Sequence, residues 1–316
     1  MGTGYLFCSD PLGARRPDPV FADEVACARH TGGEVALVDH DALLAGDTGA
    51  ALARVPRASG PYWYRGWMVP VARYADLARG LRARGCDLLT PAPDFGRAHE
   101  LPGWYDVFAD LTPRSVWRAA PPGEPPSAPE LATLTAPLGP GAAVVKDFVK
   151  SRKHEWDEAC FVPALADTQR LSAVVRRFFA LQEDSLAGGL VVREYEPFVP
   201  GGEARVWWVD GEPVLTTAHP DSPAELPVPG LASVRPAVRA LGCRWVTTDL
   251  ALREDGVWRV VEVGDGQVSG LPAGADPSAL FEALTRAGSR GRTDRGQTGD
   301  GQTADRGKTD GRASRG

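Results

Sequence analysis

Short apolar runs alternate with helically spaced apolar positions along the first part of the chain. Tyr5 to Cys8 is an apolar run ahead of a turn-rich stretch and reads as a strand. Val20 to Arg29 carries a helical pattern, and Glu34 to Val38 reads as a second strand. Tyr74 to Arg84, with Leu77 and Leu81 four apart, predicts a helix leading into a strand over Asp87 to Thr90. Alternation of strand and helix predicts a parallel α/β sheet. The pattern then changes. A strand from Ala142 to Val145 ends at Lys146, a helix is expected from Leu171 to Leu181, and Val191-Val192 opens another strand. Two pairs follow: Ala204 to Val209 and Pro213 to Thr217 around Asp210-Gly211, then Val246 to Ala251 and Val257 to Val263 around Arg253-Glu254-Asp255-Gly256. Turns of this chemistry make that half largely antiparallel.

Three stretches stand outside this alternation. Tyr62 to Met68 is an aromatic cluster around Arg65, read either as a buried strand with a capping arginine or as a strand presenting a clamp for a carboxylate or phosphate. Residues 119–140 are so rich in proline and small side chains that a loop is expected there rather than a long regular element. From residue 287 to 316 alanine is the one apolar residue type, so a solvated, disordered tail is expected.

Composition narrows the classes of partner. With 43% hydrophobic and 24% charged residues over 316 positions, the chain can bury two or three subdomain cores. A net charge of -6 supplies no basic field for a nucleic-acid backbone or an anionic membrane. The substrates expected are small molecules, amino acids or peptides. The amino terminus lacks the pattern of a leader, and no apolar stretch is long enough to span a bilayer. Cys8, Cys27, Cys86, Cys160 and Cys243 are scattered and odd in number, as expected of reduced core thiols in a cytoplasmic protein.

Four fragments carry the candidate chemistry. Lys146 ends an apolar strand, where its ammonium can enter a cleft and neutralise phosphate oxygens; a plain surface lysine is the alternative. Lys150, Arg152 and Lys153 follow within one loop, and a basic cluster in an acidic chain calls for an anionic partner. Arg193 and Arg205 offer planar donors for phosphate or a developing oxyanion, with Glu194 and Glu203 as acceptors; surface ion pairs are the alternative. Asp249 and Glu262, on the two strands of the last pair, can face one another as hard oxygen ligands suited to Mg²⁺. The same two acids could instead be the polar, solvent-facing positions of an alternating pair.

Read in order, VVKDFVKSRKHEW, VVREYEPF, EARVWWVDG and TTDLALREDGVWRVVEVGDG resemble the ATP-grasp superfamily. EARVWWVDG is similar to a strand of the ribosomal-protein glutamate ligases, while the first two fragments with VEVGDGQVSGL resemble a clade named for two arginines and a lysine. The YRGWM region is similar to that clade's amino-terminal domain, so the resemblance covers all but the tail. It implies an α+β fold: a small α/β amino-terminal domain (1–97), then two α+β subdomains (98–190 and 191–286) clasping ATP.

The resemblance also implies roles. Lys146 and Lys150 would lie on the phosphates, with Glu194-Tyr195-Glu196 against adenine and Glu203 near the ribose or the substrate. Asp249 and Glu262 would hold magnesium, and Arg205 and Arg193 would stabilise the transferred phosphoryl group and the tetrahedral intermediate. The family's final E-x-N motif is interrupted here, since Gly264 stands at the asparagine's place, and Asp265 is expected to substitute in the metal shell. The loop after Lys146 lacks the family's glycines, so basic side chains are expected in place of backbone amides.

The activity implied is ATP-dependent joining of a carboxylate to an amine through an acyl phosphate. An ATP-binding module without turnover and a small-molecule kinase are the alternatives, and the loop from Pro220 to Gly230 is expected to contribute to specificity.

Overall fold

The computed structural model describes residues 2–219 and 228–297. Strands β1 (Gly4–Asp10), β2 (Gly13–Pro17), β3 (Glu34–Val38) and β4 (Tyr62–Arg65) form the first sheet, in which β1 lies parallel to both β3 and β4 and antiparallel to β2. β1 is buried along its whole length, as a parallel strand covered on both faces must be. Helix Val71–Arg82 starts after Pro70 and buries Tyr74, Leu77 and Leu81, one stripe of its surface. Asp87 to Thr90 is not a strand. Tyr62 N donates to Asp87 O and Leu89 N to Tyr62 O, a single bridge, and Pro91 then turns the chain into helix Ala92–His99.

β5 (Ser115–Ala119), β6 (Ala143–Lys146), β7 (Phe161–Val162) and β8 (Gly189–Glu194) make a second, antiparallel sheet in the order β5-β8-β6-β7. Helix Thr168–Gln182 packs on it through Leu171, Val174, Val175, Phe178 and Phe179. The proline-rich stretch is not wholly loop: Ser127 and Glu130 form a capping box that starts helix Ala128–Thr135, with a proline in its first turn, where a missing N–H costs nothing.

The third sheet has the order β10-β9-β11-β12, from β9 (Phe198–Val209), β10 (Glu212–Ala218), β11 (Trp245–Arg253) and β12 (Trp258–Asp265). Asp210 and Gly211 both take left-handed φ, 49° and 79°, as a tight hairpin between β9 and β10 requires. β8 belongs wholly to the second sheet, so a division at 190/191 falls inside a strand and the chain crosses between sheets at Tyr195-Glu196-Pro197.

The last helix, Ser278–Gln297, packs Leu280, Phe281 and Leu284 against the first sheet and against Trp207 and Trp245 of the third. The tail expected from residue 287 therefore begins inside a helix; residues 298–316 lie outside the described residues. None of the five cysteines is paired, and no helix among the described residues is long and apolar enough to cross a membrane.

Arg65, at the end of β4, is a bolt between the first and third sheets. It is 1% exposed; Nε and Nη2 donate to the Glu24 carboxylate at 2.5 and 2.7 Å, and Nη1 donates to the carbonyls of Gln267 and Ser269. Of the two readings of the aromatic cluster, the buried strand is the one found.

Candidate functional site

A cleft of about 410 Å³ opens between the second and third sheets, within the size range of small-molecule sites. One wall is Val144, Lys146 and Arg193 from β6 and β8; the other is Glu203, Asp249, Ala251 and Glu262 from β9, β11 and β12. Glu194, Tyr195 and Glu196 close the end where the chain crosses over.

Strand register makes the polar wall. Asp249 pairs with Arg205 on one side and with Glu262 on the other, so the three residues stand in a row across the sheet. Arg205 Nε and Nη2 each donate to the Asp249 carboxylate at 2.7 Å, the planar two-point geometry that arginine makes best. Arg205 Nη1 donates to Gly270 O at 3.1 Å. Burial would raise the Asp249 pKa, but the Arg205 guanidinium holds it far below the usual carboxylate range. Burial alone would lower the Arg205 pKa, yet Asp249 raises it.

β12 holds one residue more than β11 at this point, because Asp249 pairs with Glu262 and Leu250 with Val260. Val261 is the bulge residue, and its carbonyl accepts from Arg193 Nη1 at 2.5 Å. Arg193 also donates through Nε to Ser115 Oγ at 3.0 Å, while Nη2 is buried with no hydrogen-bond partner. Burial pushes its pKa down to about 10. An orphaned guanidinium nitrogen in the wall of a cleft suits an anionic ligand.

Lys146 is buried, donates to Val149 O at 3.2 Å and lies 3.7 Å from the Glu262 carboxylate. Burial lowers its pKa, and Glu262 opposes that. The turn after it is rigid without glycine: Asp147 Oδ1 accepts from the amides of Val149 and Lys150, and Oδ2 from Gln182 Nε2. Asp147 consumes those two amides, so side chains must meet an anion in the cleft.

The expected site residues divide. Lys146, Arg193, Glu194, Tyr195, Glu196, Glu203, Asp249 and Glu262 all line the cleft, and Arg205 stands behind Asp249. Glu194 is paired through one oxygen with Arg114 at 2.9 Å and Glu196 through both with Arg259 at 3.0 and 3.1 Å, so the crossover meets the cleft with the Tyr195 ring between two arginine-paired carboxylates. Tyr195 packs edge-on against Phe161, which stacks on Trp156.

Two expectations fail. Lys150 does not line the cleft; its side chain lies on the far side of the turn in another cavity, and Lys153 lines the cleft instead. Asp265 does not accompany Glu262, because three positions along a strand is an odd step and carries the side chain to the opposite face. It is fully buried, accepts from the amide and the side chain of Gln267 at 2.9 Å, and burial pushes its pKa up to about 7.

One cleft residue escaped the sequence reading. His219, just beyond β10, stands beside Glu203, with Nε2 3.3 Å from the Asp249 carboxylate and 3.2 Å from Arg205 Nη2. Glu203, His219 and Asp249 each bring a potential ligand atom within 4.8 Å of the others. Burial pulls the His219 pKa down, but the hydrogen bond and charge of Asp249, with Glu203, outweigh it and raise it. Continuing the β9–β10 register past Ala218–Ala204 sets His219 opposite Glu203, a signal hidden by the one-residue shift near Pro213. Most of the loop from Pro220 to Gly230 lies outside the described residues.

Residues 137–284 match the model of an ATP-grasp domain family, the third family of the clade named for two arginines and a lysine. The chain has the ATP-grasp fold. Solved structures agree in fold. D-cycloserine synthetase DcsG superposes with a TM-score of 0.61 at 17% identity, covering 90% of this chain and 98% of that one. A RimK domain ATP-grasp protein from Sphaerobacter thermophilus gives 0.59 at 14% identity over 90% and 98%. The ATP-grasp ligase PsnB, complexed with its minimal precursor, Mg and ADP, gives 0.55 at 14% identity over 91% and 98%. No curated protein sequence matches the chain.

Proposed function

We propose that the protein is an Mg·ATP-dependent ligase that activates a carboxylate as an acyl phosphate and joins it to an amine. The observation that carries this reading is the pair Asp249–Glu262, backed by Arg205, facing Lys146 and Arg193 across one cleft. Phosphoryl transfer asks a protein mainly for positioning and charge neutralisation, and this is a set of groups for that purpose. The names of similar proteins, among them D-cycloserine synthetase DcsG and the ligase PsnB, support it.

On this reading the cleft is the space between two ATP-grasp subdomains. ATP lies in it with its base at Glu194-Tyr195-Glu196 and its phosphates toward Lys146 and Lys153, with Glu203 near the ribose or the substrate. Asp249 and Glu262 would hold magnesium. Their fit rests on the donor set, two hard carboxylates paired across a bulge, Glu262 open to the cleft with its side chain 42% exposed. Bound there, magnesium supplies charge neutralisation to the phosphate oxygens.

The chain's own residues do the rest. Lys146 and Arg193 hold the γ-phosphoryl group while a substrate carboxylate oxygen bonds to its phosphorus and the bond to the ADP oxygen breaks. The amine nitrogen then attacks the acyl carbon. Phosphate leaves with the electron pair of the broken C–O bond, and the proton shed by the amine passes to phosphate or water. Arg205, fixed by Asp249, steadies the oxyanion between those two bonds.

The test measures ATP affinity with and without magnesium, and ADP release over a panel of carboxylic acids paired with amines. We expect Lys146→Met to weaken ATP binding by about tenfold or more, the loss of one charge-assisted contact. ATP binding indifferent to magnesium, with no substrate-dependent ADP, would overturn the ligase and leave a nucleotide-binding module. Label from γ-phosphate retained on an organic product would make the protein a kinase instead.

A further inference from the structure

Asp249 and Glu262 form one rung of the β11–β12 ladder, and two residues along each strand Thr247 pairs with Gly264. Positions two apart on a strand share a face, so Thr247 and any side chain at 264 point to the same side as the two carboxylates. Gly264 brings no side chain to that rung. A Cβ built there would lie 3.0 Å from Thr247 Oγ1 and 3.1 Å from Ser269 Oγ, closer than side chains ordinarily approach. Two hydroxyls therefore fill the space where a side chain on β12 would begin.

The hydrogens of this pair are accounted for. Ser269 Oγ donates to Asp265 O at 3.0 Å, which spends its one hydrogen, so in the 2.7 Å contact between the hydroxyls Thr247 is the donor. Thr247 is 3% exposed, and among the described residues no group donates to its Oγ1, which keeps its lone pairs. The loop behind the pair is held in place, because Arg205 Nη1 donates to Gly270 O. Magnesium takes one or two protein carboxylates, keeps several waters and demands near-octahedral order among them. One rung is about 7 Å along a strand, the span that a water bridges between an ion and a hydroxyl.

We infer that the Thr247–Ser269 pair is the third element of the magnesium site, with Thr247 Oγ1 accepting a hydrogen bond from a water of the ion and so fixing the ion's orientation on Asp249 and Glu262. The inference rests on the magnesium reading of those two carboxylates. Ser269 acts through Thr247, as a positioning residue.

The experiment titrates the full chain with AMPPNP by calorimetry, in EDTA and over a series of magnesium concentrations. Compared with the parent are Thr247→Ser, Thr247→Val with Ser269→Ala, and that double variant carrying Gly264→Asn as well. Gly264 has the extended backbone of a strand, so an asparagine fits there and returns an oxygen to the vacated space. Expected in the double variant is an about tenfold rise in the magnesium concentration that half-saturates the gain in AMPPNP affinity, the usual cost of losing a group that orients a metal's ligands. Affinity in EDTA and thermal unfolding should stay near the parent's. Thr247→Ser should behave as the parent, and Gly264→Asn should restore most of the response. A double variant that answers magnesium as the parent does overturns the inference and leaves Asp249 and Glu262 as the metal site. A loss that Gly264→Asn does not repair, or that Thr247→Ser shares, overturns it too and marks the pair as packing. A parent that binds AMPPNP equally with and without magnesium refutes the magnesium reading itself, and the inference with it.

Discussion

Replacing Asp265 by asparagine separates the two roles this residue can have. Its carboxyl is fully buried, with Oδ2 unpartnered, and burial raises its pKa to about 7. The folded protein therefore holds a proton that the unfolded chain releases near pH 4. The associated stability is fully present below pH 4 and is lost as pH rises through about 7. Each pKa unit is worth about 1.4 kcal/mol, so the loss across this window is on the order of 4 kcal/mol. Asp265→Asn cannot titrate, and its Oδ1 can still accept from Gln267. The variant's stability relative to the parent should therefore climb by that amount from pH 4 to pH 8. Urea unfolding at several pH values measures the difference, and other titrating groups cancel in it. Magnesium-dependent ATP binding should persist in the variant. Parallel pH profiles, or loss of the magnesium response, would refute the buried placement and return Asp265 to the metal shell.

Further outcomes follow from the same geometry. Arg65→Met leaves the Glu24 carboxylate buried without its partner, and should cost about 3–5 kcal/mol in unfolding experiments while ATP affinity is unchanged. Arg205→Lys keeps the charge but loses the two-point contact with Asp249; a fall in kcat of about a hundredfold, larger than any change in ATP affinity, is expected in steady-state assays. His219→Phe removes the imidazole beside Asp249 and Arg205, and should weaken magnesium-dependent nucleotide binding with little effect on folding, read by calorimetry and thermal unfolding.

The sequence by itself determined many of the elements and which residues line most of the cleft's inner wall, because both follow from local rules. Period-two strands and a turn ending in Gly256 put Asp249 and Glu262 on facing strands, where the bulge at Val261 sets them directly opposite, and the Asp210-Gly211 turn sets β9 against β10. The capping box at Ser127 was equally local and was overshadowed by the prolines around it. Tertiary structure decided what each charged group meets. Arg65 finds Glu24 from a distant helix, and Lys150 is turned from the cleft by a turn that Asp147 and Gln182 build together. The bulge at Val261 aims a carbonyl at Arg193, and a register shift in the preceding hairpin brings His219 to Asp249. Local pattern tells which face a side chain takes; burial and charge pairing depend on what other segments bring to that face, and no window of the sequence contains them.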